Sequence, residues 1–439
     1  MGILEEDVAR VRAATDFVAL AGEHVGLRKV GRRWVGLCPF HTEKSPSFNI
    51  NAEEGFYYCF GCMAKGDVIT FVREVDHVDF VEAVEKLASR AGITLRYDNA
   101  SRGHDHKRRA RIYETLEAAV GWYHERLLSA SDARAARAYL RSERGYDGEV
   151  VRTYRLGWAP EGWDELVRSL GPPPAALVDA GLAFVNEAGR HQDFFRGRLL
   201  FPIYEAGGRP VGAGGRVLPG GRGPKYKNTG ATAVYDKSRV LYGLNWAKTS
   251  VVETGSVVVC EGYTDAIGLH LAGVPQAVAT CGTALADGHV RLLTNFARRI
   301  VLVYDADAAG QHAAEQYYDW EKRFEVDIRV AALPVGADPG QLARSDPEAL
   351  RLAVDQARPY LAFRLDRLFA RADLATAEGR ARAATEAVAL IGAHPNDLVK
   401  DQYLMQVADR CRVSAERLRA LPVAPAAPRP AGRAAPGGR

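Results

Sequence analysis

Four residues near the N-terminus have the types and spacing of a metal grip: Cys38-Pro-Phe-His41 and, further along, Cys59-Phe-Gly-Cys62. Two donors separated by two residues can hold one ion from a tight turn, and two such pairs close a tetrahedron. Three sulfurs and one imidazole nitrogen match structural zinc. Four protein ligands leave no open position for chemistry, so one structural Zn²⁺ is expected. The bland alternative is four unrelated residues, some of them buried thiols. A small domain around this cluster has little core of its own, so metal binding should supply much of its stability.

A second set is acidic. SVVVCEGYTD puts Glu261 just after a strand and Asp265 in the first turn of the following helix. IVLVYDADAAG puts Asp305 and Asp307 at the end of another strand, and LPVGADPGQL adds Asp338 after a third. In parallel α/β folds the carboxyl ends of strands meet at one edge, and ligands gather there. Carboxylates at those ends are costly unless they bind cations, and oxygen ligands on a shallow edge suit Mg²⁺. A lone Asp in such a place is usually a cap or turn former, and Asp265 fits that description. For Asp305-x-Asp307 a cap accounts for one carboxylate and not both.

A third set is basic. Phe195-Arg196-Gly197-Arg198 precedes an apolar strand, and Gly212-Ala-Gly-Gly-Arg216, Pro224-Lys225-Tyr226-Lys227-Asn228 and Tyr235-Asp236-Lys237 follow. Glycines let backbone N–H groups approach phosphates, while Arg and Lys supply charge. Each motif alone also reads as a glycine-rich turn with surface basics. Around the zinc cluster, Arg33, Trp34, Phe40, Lys44, Phe48, Phe56, Tyr57, Tyr58 and Phe60 interleave aromatic and basic character. Alternation must bury some of them. Trp34, with Arg33 and Lys44, is expected in the exposed set, where bases can stack and phosphates can be neutralised.

These sets need several domains to position them, and 439 residues suit two or three. The expected class is a mixed α+β and α/β multidomain chain. Residues 1–100 read as a zinc-binding ribbon. A helix comes first, then strand pieces around Trp34–Leu37, Phe48–Ile50 and Phe56–Cys59, then helical periodicity in Asp67–Glu74 and Phe80–Ala91. Residues 101–109 are polar and read as a linker. Residues 110–245 form a mixed α/β basic subdomain. Residues 246–340 alternate strand and helix, which favours a mostly parallel, buried sheet. Residues 341–420 read as a helical subdomain, and 421–439, rich in Pro, Ala and Gly, as a disordered tail.

Composition narrows the setting. The net charge of +4 is weak evidence, but Arg28-Lys29, Arg32-Arg33 and Lys107-Arg108-Arg109 are local basic clusters. Six cysteines in a large chain without a secretory signal argue for a reducing, cytoplasmic location. No uninterrupted apolar run reaches the ~18 residues of a membrane span.

Glu261-Gly-Tyr-x-Asp265, Asp305-x-Asp307 and Asp338, in this order, resemble the Toprim metal-binding fold shared by primases and topoisomerases. With the zinc knuckles before them and the basic motifs between, the order closely resembles the bacterial or phage DnaG-type primases over roughly residues 3–420, including Gly66-Asp67-Val68-Ile69-Thr70-Phe71. The resemblance implies a DNA-directed RNA polymerase that makes short RNA primers from ribonucleoside triphosphates on single-stranded DNA. It implies zinc on Cys38, His41, Cys59 and Cys62. It implies catalytic Mg²⁺ or Mn²⁺ on Glu261, Asp305 and Asp307, with Asp265 and Asp338 supporting. Arg196, Arg198, Arg216, Lys225 and Lys237 would contact template or nucleotides. The chain is expected to act as a monomer, away from membranes. Family members usually continue into a domain that binds the replicative helicase, and that domain is expected to be missing here. Two rivals are recombination mediators that join zinc to Toprim, which lack the basic motifs, and type IA topoisomerases, which need a tyrosine nucleophile in a large extra domain.

Overall fold

In the computed structural model, the N-terminal ribbon is a five-stranded antiparallel sheet whose central strand alternates apolar and polar residues. Residues 3–421 are described, apart from 23, 42, 44, 77, 98–99, 172, 283, 304–310 and 335–336. Helix α1 (Glu5–Ala14) precedes strands β1 (Arg28–Val30), β2 (Arg33–Gly36), β3 (Phe48–Asn51), β4 (Phe56–Cys59) and β5 (Lys65–Asp67). These pair antiparallel in sequence order. On β3, Phe48 and Ile50 are fully buried while Asn49 and Asn51 face outward. Helices α2 (Val68–Asp76) and α3 (Phe80–Ala91) cover the buried face, packing Phe71, Val84 and Leu87 with Phe48 and Tyr57. The Asp79 carboxylate caps α3 by accepting from the Glu82 amide, and Gly92 ends it in the left-handed region. Asp7, fully buried on α1, accepts hydrogen bonds from the Arg96 amide at 2.7 Å and its Nε at 3.1 Å, tying the two ends of the ribbon together.

Residues 101–109, expected as a polar linker, lie within a single helix, α4 (Ala100–Ser129). Apart from Gly103 the segment holds no strong helix breaker. Strands β6 (Gly157–Ala159), β7 (Arg198–Tyr204), β8 (Pro210–Val217) and β9 (Tyr226–Asn228) form a second sheet in the order β9-β8-β7-β6. Helix α4 lies against β6 so closely that a Cβ at Gly157 would meet Tyr123 Cβ at 2.7 Å.

A third sheet consists of β10 (Ser256–Cys260), β11 (Ala277–Ala279), β12 (Arg299–Leu302), β13 (Asp327–Val330) and β14 (Arg358–Pro359), in the order β11-β10-β12-β13-β14. All neighbours are parallel except the edge strand β14. The central strands are almost wholly apolar and buried, the composition of strands covered on both faces. Helix α5 (Tyr263–Leu271) follows β10, α6 (Gln311–Phe324) precedes β13, and α7 (Pro339–Ser345) follows it. Helices α8 (Tyr360–Arg371), α9 (Ala377–Gly392), α10 (Asp397–Cys411) and α11 (Ala415–Arg419) form the helical region.

The chain divides into two bodies: Met1–Arg137, Arg152–Pro202 and Ala206–Tyr235 in one, and Ala138–Val151, Ile203–Glu205 and Asp236–Arg439 in the other. Two earlier stretches of the chain, Ala138–Val151 and Ile203–Glu205, thus group with the second body. The tail expected to be disordered lies outside the described residues beyond 421. Among the described residues, no helix is long and apolar enough to cross a membrane.

Candidate metal centres and basic surface

The two knuckles converge. Ligand atoms of Cys38, His41, Cys59 and Cys62 all lie within 4.8 Å of one another. Cys38 Sγ is 3.8 Å from Cys62 Sγ, and Cys59 Sγ is 3.8 Å from His41 Nδ1. A tetrahedron with Zn–S of about 2.3 Å has edges of about 3.8 Å, so the donor set fits zinc. The knuckle turns aim amides at sulfur: Phe40 N–H at Cys38, and Gly61 and Cys62 N–H at Cys59. Burial pushes the Cys38 thiol well above its ordinary range, a cost that a bound cation reverses. Burial also resists ionisation of Cys59, but the Ser47 hydroxyl and the Cys62 and Gly61 amides outweigh it and hold that thiol below its ordinary value. Gly61 is obligatory for close approach, since a Cβ there would fall 2.4 Å from His41 Nε2.

Of the aromatic residues around the knuckles, Phe48 and Tyr57 are core, and Trp34 and Phe40 are half-buried against it. Trp34 is thus less open than expected, while Phe60 is 60% exposed and stacks edge-on with Tyr58. Arg28, Lys29, Arg32 and Arg33 are all exposed along the β1–β2 hairpin. Lys44 lies outside the described residues.

In the second body the acids gather where parallel strands end. Glu261 is exposed just beyond β10. Asp265 sits in the first turn of α5, where its Oδ2 accepts from the Gly262 amide at 3.1 Å, so the capping role is real. It does not exhaust the residue. Burial, with the charges of Asp338 and Glu261, pushes the Asp265 carboxyl up to about 7 against the opposing Gly262 amide and Arg144. Asp338 caps α7 through the Gln341 amide and remains exposed. A divalent cation would relieve this crowding, and oxygen donors suit Mg²⁺. Asp305 and Asp307 lie outside the described residues.

The basic motifs separate into different duties. Arg196 places its guanidinium 3.4 Å from the centroid of the exposed Trp163 ring. Arg198, only 6% exposed, donates to the Gly215 and Pro224 carbonyls at 3.1 and 2.9 Å and acts as a strut of the sheet. Arg216 is buried and donates to Tyr226 Oη at 3.0 Å. Lys225 is exposed. Lys227 donates to the Phe194 carbonyl, and burial with the nearby Arg198 and Arg196 charges lowers its ammonium pKa. Lys237 belongs to the other body, where its carbonyl accepts from His289 Nε2 at 2.7 Å.

Residues 3–103 match the CHC2 zinc finger family, and 122–248 match the N-terminal domain of the DNA primase catalytic core. Residues 255–332 match the Toprim domain, and 361–416 the DnaB-helicase binding domain of primase. The DNA primase of Escherichia coli O6:H1 is 38% identical over 403 residues, which is 90% of this chain and 69% of that protein. This chain belongs to the DNA primase family. The DNA primase of Streptomyces coelicolor is 41% identical over 419 residues, and the match spans 92% of this chain but 65% of that longer relative. The crystal structure of the Aquifex aeolicus primase, comprising its zinc binding and RNA polymerase domains, shares 28% identity with a TM-score of 0.60, covering 94% of this chain and 98% of that one.

The family match at 361–416 overturns the expectation that the helicase-binding segment is missing. Helices α8–α11 show only an Ala, Leu and Arg-rich helical pattern, and such a pattern does not disclose a partner. Sequence reasoning also passed over Glu43, Arg144, Trp163 and Lys227 as site residues. An acid two positions from a metal ligand was a usable signal for Glu43. Trp163 offered none, because the fold alone brings it to Arg196.

Proposed function

We propose that this chain is a DNA primase, a DNA-templated RNA polymerase that makes short RNA primers on single-stranded DNA. The observation that carries this reading is the crowding of Glu261, Asp265 and Asp338 at one sheet edge in a chain of the primase family. The reaction is attack of a ribonucleotide 3′-hydroxyl on the α-phosphorus of the next NTP. One phosphodiester bond forms, the bond to pyrophosphate breaks, and the hydroxyl proton departs.

Glu261, Asp305 and Asp307 would hold Mg²⁺ or Mn²⁺, with Asp265 and Asp338 in support. When bound, such cations lower the charge on the attacking and leaving oxygens. Asp265 must give up its proton to take part, which cation binding favours. Arg196 and Lys225 neutralise template or triphosphate, and Trp163 offers a ring for base stacking. Arg198 and Arg216 support that surface from within the sheet. The ribbon, with zinc on Cys38, His41, Cys59 and Cys62, engages template through the basic hairpin and Phe60. The helices α8–α11 are the segment for contact with a replicative helicase, as the family description indicates. These roles imply action in the cytoplasm, at a replication fork.

The test is incorporation of labelled NTPs on single-stranded DNA with Mg²⁺. Glu261→Ala is expected to lower primer synthesis at least ~100-fold while circular dichroism stays unchanged. Near-normal synthesis by that variant would overturn the metal assignment.

A further inference from the structure

Glu43 occupies a singular position beside the zinc ligands. Its Oε1 accepts the Cys38 amide at 2.8 Å and the Ser47 amide at 3.0 Å. Its Oε2 accepts the Ser47 hydroxyl and lies 3.3 Å from His41 Nε2. Ser47 Oγ in turn sits 3.1 Å from Cys59 Sγ. One carboxylate, itself 11% exposed, therefore reaches the first knuckle through Cys38 and His41 and the second through Ser47.

The imidazole is oriented by what flanks it. Nδ1 faces the sulfurs, 3.8 Å from Cys59 Sγ, and Nε2 faces Glu43. An Nε2–H pointed at a carboxylate leaves the Nδ1 lone pair free for a metal. The ring occupies space that only a glycine leaves at position 61, where a Cβ would lie 2.4 Å from Nε2.

We infer that Glu43 is the positioning residue of the zinc centre: it clamps both knuckles and sets His41 to ligate through Nδ1. The inference rests on the zinc reading of Cys38, His41, Cys59 and Cys62. Outer-shell carboxylates of this kind change metal affinity by about 10–100-fold when removed. Glu43→Ala removes both the clamp and the charge. Glu43→Gln keeps an acceptor for the two amides but no longer attracts the Nε2–H.

The experiment measures zinc affinity of the full chain by chelator competition, and the d–d absorption of the Co²⁺-substituted protein. Native chain is expected to take up one equivalent. Glu43→Ala is expected to weaken zinc binding about 10–100-fold. Glu43→Gln should fall between, with a shifted Co²⁺ envelope, and Glu43→Asp should recover part of the loss. Ser47→Ala combined with Glu43→Ala should cost less than the two single losses multiplied, because both act through one network. Should Glu43→Ala take up no metal at all, Glu43→Gln decides. Affinity within twofold of native and an unshifted Co²⁺ envelope in Glu43→Gln would overturn the proposal. Failure of the native chain to bind zinc would instead defeat the zinc reading and the proposal together.

Discussion

Asp265 and Asp338 aim their carboxylates at the same glycine. A Cβ at Gly340 would lie 2.9 Å from Asp265 Oδ1 and 3.2 Å from Asp338 Oδ1. Asp265 comes from the helix after β10 and Asp338 from the cap of α7 after β13, so two distant segments share one narrow gap.

That gap makes Gly340→Ala a test of geometry rather than of charge. The position is helical, so alanine brings a propensity gain of about 1 kcal/mol, and the fold should survive. The methyl group forces the carboxylates apart. Primer synthesis is expected to fall about 10–100-fold, with a higher Mg²⁺ requirement. A Mg²⁺ titration of NTP incorporation reads the outcome, and unchanged activity would show that the two acids do not act together.

Cys59 is fully buried at the end of β4 and belongs to the zinc cluster. Cys59→Ser replaces a soft thiolate with a hydroxyl that zinc holds poorly. The ribbon is expected to lose its zinc at chelator concentrations that native chain withstands, and to unfold ahead of the other domains. Metal analysis after dialysis, with thermal denaturation, checks this. Retention of a full equivalent would count against the cluster.

Arg196 and Arg198 stand two residues apart and should respond in opposite ways. Arg198→Ala leaves the Gly215 and Pro224 carbonyls without their donor, a loss of about 2–4 kcal/mol in urea denaturation. Arg196→Ala should leave stability within about 1 kcal/mol but weaken single-stranded DNA binding. The log–log salt slope of that binding, followed by fluorescence anisotropy, should shrink by about 1.

Glu321 on α6 supplies a pH test away from the proposed chemistry. Burial, with the Asp327 charge, pushes its carboxyl up to about 7 despite a hydrogen bond from the Ile328 amide. His394 Nε2 stands 4.0 Å from it. Below an unfolded value of about 4.3 the group is protonated in both states and has no effect. As pH rises from there to about 7, the unfolded chain ionises first and folding loses stability. Glu321→Gln removes this loss. The variant should gain on native by up to ~3 kcal/mol at pH 8, with the gain shrinking toward pH 5. Parallel urea denaturation curves across that range decide it, and a gain independent of pH would refute the account.

Sequence alone determined the local chemistry. Ligand spacing named the zinc grip, because a two-residue turn places two donors on one ion whatever surrounds it. Apolar runs named the parallel sheet, because strands covered on both faces keep few polar positions. Alternation in β3 and the Gly92 stop of α3 were legible for the same reason: each depends on neighbours in the chain. What tertiary structure decided is which side chains share a surface. Only the fold turns Arg198 inward and stacks Arg196 on Trp163, and only it seats Asp265 and Asp338 around Gly340. Burial and pairing arise between segments far apart in sequence, and no local pattern encodes them.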